Sequence, residues 1–168
     1  MTNNIYIKYL MLLPLYVIIQ TLVLNEIMFS TYINPFLYLI VIISLPLKTN
    51  KLFLLIYAFF LGLFIDLFSA NLGFHSTATV LVSFLRPLIA KLTIPHNILS
   101  ENDEISTRKI GVKSYITFSI FLIIIHNCCL FVTEYLQFNF YILIKILLSS
   151  IITASLIYIT QLLIYVKK

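Results

Sequence analysis

From Ala58 to His75 the chain reads A-F-F-L-G-L-F-I-D-L-F-S-A-N-L-G-F-H, an apolar run carrying one carboxylate, Asp66. Ala58, Gly62 and Asp66 recur every fourth residue, so on a helix they share one face, which Ser69 and Ala70 continue. Such a small-residue stripe lets a neighbouring helix come close, and in a bilayer its carboxylate must find a partner or water. The other side chains able to join it are His75, just past the turn, His126 with Asn127 beside it, and Arg86. Two roles for Asp66 stay open at this level. It is a buried structural carboxylate paired with a donor such as the His75 or His126 ring within about 6 Å, or it is an acid–base group. No H-E-x-x-H, G-x-S-x-G, P-loop or paired-cysteine motif accompanies it, so no catalytic set, cofactor or metal site is expected.

The elements that must position these residues follow from composition. Hydrophobic residues make up 61% of the 168 and charged residues 10%, against roughly 45–50% and about 25% for soluble domains. That much apolar surface needs lipid. Three Gly, five Pro and long Leu/Ile/Phe runs argue for helices over the short alternating strands of a barrel. Trp is absent, and the eleven Tyr are assigned to the interfaces. The net charge of +5 is read as cytoplasmic loops, since no solvated basic patch interleaved with aromatics points to nucleic acid. The adjacent Cys128 and Cys129 read as small core hydrophobes. The first segment has no small-x-small cleavage site and reads as a span.

Six apolar segments are expected, at about 5–24, 35–47, 52–69, 74–92, 115–136 and 140–166, forming one integral membrane domain with a cytoplasmic loop at 93–114. The second is short for a crossing and is read as tilted, thinned or re-entrant. Pro87 is expected to kink or end the fourth, and Ser100–Ser106 to form a solvated loop. With six crossings, ten of the eleven basic residues fall on the side of the two termini and only Lys145 on the other. That asymmetry predicts both termini inside.

Depth follows from about 1.5 Å per helical residue, which puts Asp66 roughly 22 Å beyond Lys51 and His126 roughly 20 Å beyond Lys113. Asp66, His75, His126 and Asn127 can therefore share one layer near the outer face, or each can be satisfied separately. Arg86 reads as an anchor snorkelling to the cytoplasmic headgroups, with a partner contact as the alternative. Gln20 and Gln161 read as interhelical hydrogen bonders, and Ser149, Ser150, Thr153, Ala154 and Ser155 as a close-packing surface.

The stretch G-L-F-I-D-L-F-S-A-N-L-G-F-H-S-T-A-T-V-L-V-S-F-L-R-P resembles the rod shape-determining protein MreD family, in the form found in Bacteroidetes-type members. In that family a Gly-x-x-x-Asp stretch ends one helix, a Leu-Gly turn follows and the next helix starts at once; Gly62, Asp66, Gly73 and His75 match. The Leu85-Arg86-Pro87 exit and the six-segment layout also fit. The resemblance implies a non-enzymatic scaffold of the bacterial inner membrane. Its expected partner is MreC and, through it, MreB, RodA and the elongation transpeptidase. It also implies a fold similar to the S-components of energy-coupling-factor vitamin transporters, hence an alternative role in binding a small ligand.

Overall fold

Backbone polar groups have no water to bond in hydrocarbon, so helices dominate. A computed structural model describes residues 2–26, 33–71, 73–95 and 103–166. The elements are α1 (Thr2–Ile19, continued by a π-helical turn at Gln20–Leu24), α2 (Leu39–Ser44), α3 (Lys51–Phe68), α4 (Phe74–Thr93), α5 (Thr107–Ile110), α6 (Val112–Tyr135) and α7 (Phe140–Val166). This is an all-α membrane protein. Among the described residues four stretches, Ile5–Leu24, Lys51–Phe68, Val112–Tyr135 and Phe140–Ile164, are long and apolar enough to cross a bilayer. α4 has the length, about 30 Å, but buries a polar face of His75, Ser76, Thr79, Ser83 and Arg86.

Local chemistry sets the boundaries. Asn50 Oδ1 accepts from the amides of Leu52 and Phe53 and caps α3, while Asn139 Oδ1 accepts from Ile142 N at 3.0 Å and caps α7. α3 packs on α4, α4 on α6 and α6 on α7, with α2 held between α1, α4 and α6. α3 and α4 approach through Gly62 and Ala58. A Cβ on Gly62 would lie 2.4 Å from Ser76 Cα, and Thr79 Oγ1 donates to Ala58 O at 2.8 Å. The stripe stops at Asp66: Ala70 is exposed and takes a left-handed turn with φ 53°.

Several expectations are corrected. The 35–47 segment is helical only over Leu39–Ser44; Pro35 has no amide to donate and Pro46 stops the helix. It is nonetheless buried, with Tyr38 to Ile43 and Leu45 all at 2% exposure or less. Pro87 does not end its helix, which runs on to Thr93. The 93–114 loop contains α5, and α6 begins at Val112, three residues earlier than expected. Of the predicted solvated loop, 100–102 lie outside the described residues, and Ile105 and Ser106 are buried. Ile105 N donates to Ser44 O at 3.0 Å, closing off the end of α2. Cys128 is exposed rather than core. In α7, Ser149, Ser150 and Thr153 are buried and Ser155 is exposed.

Gly62→Ala is expected to cost about 3 kcal/mol, because the overpacking falls on backbone rather than on a flexible side chain. A lowered thermal unfolding midpoint in detergent checks this; an unchanged midpoint refutes the close approach.

Candidate functional site: a buried polar layer

Asp66 occupies the last turn of α3, and its backbone and side chain serve different helices. Its carbonyl accepts from Asn71 N at 2.9 Å, the long bond of a Schellman turn around Ala70. Its carboxylate reaches across to the start of α4: Oδ1 accepts from His75 N at 3.0 Å. Oδ2 accepts from Ser76 N at 2.9 Å and Ser76 Oγ at 2.8 Å. Gly73, at φ 89°, supplies the left-handed residue before α4 but no capping side chain. Asp66 is thus an N-cap borrowed from the preceding helix, with its negative charge at the positive end of α4. The donors are backbone amides and a hydroxyl, not the imidazoles expected.

His75 and His126 meet instead through Tyr38. Tyr38 Oη lies 2.9 Å from His75 Nδ1 and 2.7 Å from His126 Nε2. His126 Nδ1 lies 3.0 Å from Asn127 Oδ1, and Asn127 Nδ2 donates to Ser150 Oγ at 2.9 Å. For uncharged imidazoles the amide sets the direction of the chain. Because Asn127 Oδ1 accepts, His126 Nδ1 carries the proton and Nε2 accepts from the Tyr38 hydroxyl. Tyr38 Oη then accepts from His75 Nδ1–H. Asp66, His75, Tyr38, His126 and Asn127 are each 5% exposed or less. The Phe36 ring covers both imidazoles, with centroids 5.6 Å from His75 and 5.2 Å from His126.

Asp, His and Ser therefore adjoin, but with the connections of a cap. Ser76 Oγ bonds Asp66 and Gly73 O, whereas the His75 ring bonds Tyr38. Among the described residues no group of three His, Cys, Asp or Glu side chains could hold a metal ion.

Arg86 lies in the C-terminal half of α4 and does not snorkel; it is 1% exposed. Its guanidinium donates to Ile43 O at 3.4 Å, to Leu45 O, and to Pro46 O at 3.5 Å. It caps the C-terminus of α2, so this buried charge, like Asp66, sits on a helix end. Other groups of the 34–49 segment are also met from neighbouring helices. Asn34 N donates to Ser149 Oγ and Phe36 N to Thr153 Oγ1, each at 3.0 Å. Gln20 donates to Pro35 O at 2.9 Å and accepts from Leu37 N at 3.1 Å. Gln161 donates to Ser44 Oγ at 3.1 Å.

Of the residues singled out in sequence, Asp66, His75, His126 and Asn127 come together in one layer. Ala58 and Gly62 form the α3–α4 contact, Gly73 the turn, and Arg86 a separate site at the other end of α2. Tyr38 and Ser76, which the sequence does not single out, and Ser150, expected there only as a packing residue, complete the layer. Tyr38 and Ser44 are the two hydroxyl residues of the Pro35–Leu47 run, and both bond across helices; that exception was the available signal. No family model, curated protein or solved structure matches the chain.

Tyr38→Phe removes both donor and acceptor between the imidazoles and is expected to cost about 2–4 kcal/mol, since two buried groups lose their partner. Thermal unfolding in detergent tests it, and a midpoint equal to that of the unaltered chain counts against the chain of bonds. Arg86→Lys keeps the charge but not the planar fork that spans several carbonyls, and is expected to cost about 3 kcal/mol. Hydrogen exchange should quicken over 39–46 and not over α7; unchanged exchange at 39–46 overturns the assignment.

Proposed function

We propose that the chain is a non-enzymatic scaffold of the bacterial inner membrane, of the MreD kind, contacting MreC and through it MreB, RodA and the elongation transpeptidase. The observation that carries this reading is the closure of the polar layer on itself. Both oxygens of Asp66 are taken by the start of α4, and the His75–Tyr38–His126–Asn127–Ser150 chain connects α2, α4, α6 and α7. A vitamin-binding subunit needs several polar groups turned toward a concave cavity. Here they are turned on one another, which suits a rigid surface offered to a protein partner. The match of Gly62, Asp66, Gly73 and His75 to the family pattern supplies the choice of complex.

The same reading takes six crossings with both termini in the cytoplasm. α4 has the length, with its polar residues facing protein. The α2 segment touches α7 at successive points, Asn34 to Ser149, Phe36 to Thr153 and Ser44 to Gln161. It therefore runs beside α7 in the same direction for about 18 Å. Lys8 pairs with Glu104 and Lys109 with Asp103 at the Arg86 end of the bundle. Lys145 lies at the other end, donating to Tyr135 Oη at 2.9 Å. That distribution favours the Arg86 end as cytoplasmic.

Affinity capture of the tagged chain from native membranes is expected to recover MreC. Asp66→Ala, which uncaps α4 at the layer, is expected to lower that recovery several-fold at equal protein level. Full recovery with the variant sinks the role given to the layer. Recovery of an ATPase-containing transporter module in place of MreC sinks the scaffold and favours the vitamin reading.

A further inference from the structure

Away from the polar layer, a slot of about 390 Å³ opens between the first turns of α3 and the last turns of α4. The two helices are antiparallel, so Lys51 at the start of one and Lys91 near the end of the other stand at the same end of the slot, and both line it. Both are exposed. The two carboxylates that pair at this end are taken by Lys8 and Lys109, and neither Lys51 nor Lys91 has a carboxylate partner among the described residues. Beyond the lysines the walls are apolar apart from Ser83, formed by Leu55, Phe84, Pro87 and Leu88. Phe84 and Leu88 are 68% and 57% exposed, facing away from the bundle. Leu88 and Phe84 lie one and two turns from Lys91 toward the middle of the bilayer, about 5 and 10 Å along α4.

Two unpaired cations above a greasy slot match a molecule with an anionic head and a hydrocarbon tail. Water would leave the slot empty, and a zwitterionic lipid would bring its own cation against the lysines. We propose that this slot binds an anionic phospholipid, its phosphate between Lys51 and Lys91 and one acyl chain along Leu55, Phe84 and Leu88. The site does not rest on the scaffold reading. It does bear on it, because a subunit that holds an anionic lipid is retained where such lipids are.

The test is native mass spectrometry of the full chain in detergent, titrated with phosphatidylglycerol and with phosphatidylcholine of the same chains. Preferential retention of phosphatidylglycerol is expected. A membrane-surface lysine contributes about fivefold to anionic lipid binding, so the double variant Lys51→Gln/Lys91→Gln should weaken it about thirtyfold and each single variant about fivefold. Lys109→Gln/Lys113→Gln removes equal charge outside the slot and should change it little. Leu88→Trp, which fills the slot and leaves both lysines, should also weaken it. Equal retention of the two lipids, equal loss in both double variants, or displacement by equimolar inorganic phosphate overturns the site.

Discussion

Helix ends inside a membrane leave amides and carbonyls that lipid cannot satisfy, each at a cost of several kcal/mol. Among the described residues, both ends of α2 and the start of α4 are such ends in the protein interior. The first amides of α2 turn back onto the carbonyls of Phe36, Leu37 and Tyr38, and the other two ends are met by side chains from other helices. Two of the buried charged side chains are used here. Asp66 holds the amides at the start of α4 and Arg86 the carbonyls at the end of α2, so neither has to be compensated by the other. A short buried helix with loose ends would otherwise be untenable at this depth; with its ends occupied it becomes the core against which α1, α4 and α6 pack.

The α3–α4 junction shows how tightly this is coupled. Asp66 pins Ser76 N, and Ser76 Cα is the atom nearest to where a Gly62 side chain would stand. The cap therefore fixes the helix that the glycine must admit. The His75 ring leaves the same turn and enters the Tyr38 chain. One turn of α4 thus joins the close-packed stripe to the polar layer, and both depend on its entry angle.

Much of this was legible in the sequence, for identifiable reasons. Long apolar runs set α3, α4 and α7 to within a residue or two, because in lipid the hydrogen-bonding rule leaves little choice. Counting depth put Asp66, His75, His126 and Asn127 at one level, because rise per residue is constant in a helix. What could not be read was connectivity. Nothing about Asp66 says that its carboxylate prefers amides nine and ten residues onward to an imidazole; that follows from the Ala70 turn, a left-handed residue with a side chain where glycine would be the usual choice. Arg86 was misplaced because snorkelling assumes a free path to the headgroups, and α2 stands in it. The second segment was over-read as a helix because apolar length alone does not reveal that prolines at both ends break the ladder.

The segment from Asn34 to Pro46 carries a consequence for biogenesis. Its hydrogen-bond partners in later parts of the chain, from His75 and Arg86 to Thr153 and Gln161, lie between 37 and 117 residues downstream. Synthesis runs from the N-terminus, so when this segment leaves the ribosome Gln20 is in place but the other side chains that will satisfy it do not yet exist. It has no stable place in hydrocarbon until α7 has been made. Its final seating is therefore a late, post-insertion event, during which the nascent chain holds an incompletely bonded stretch at the insertion machinery or the membrane surface.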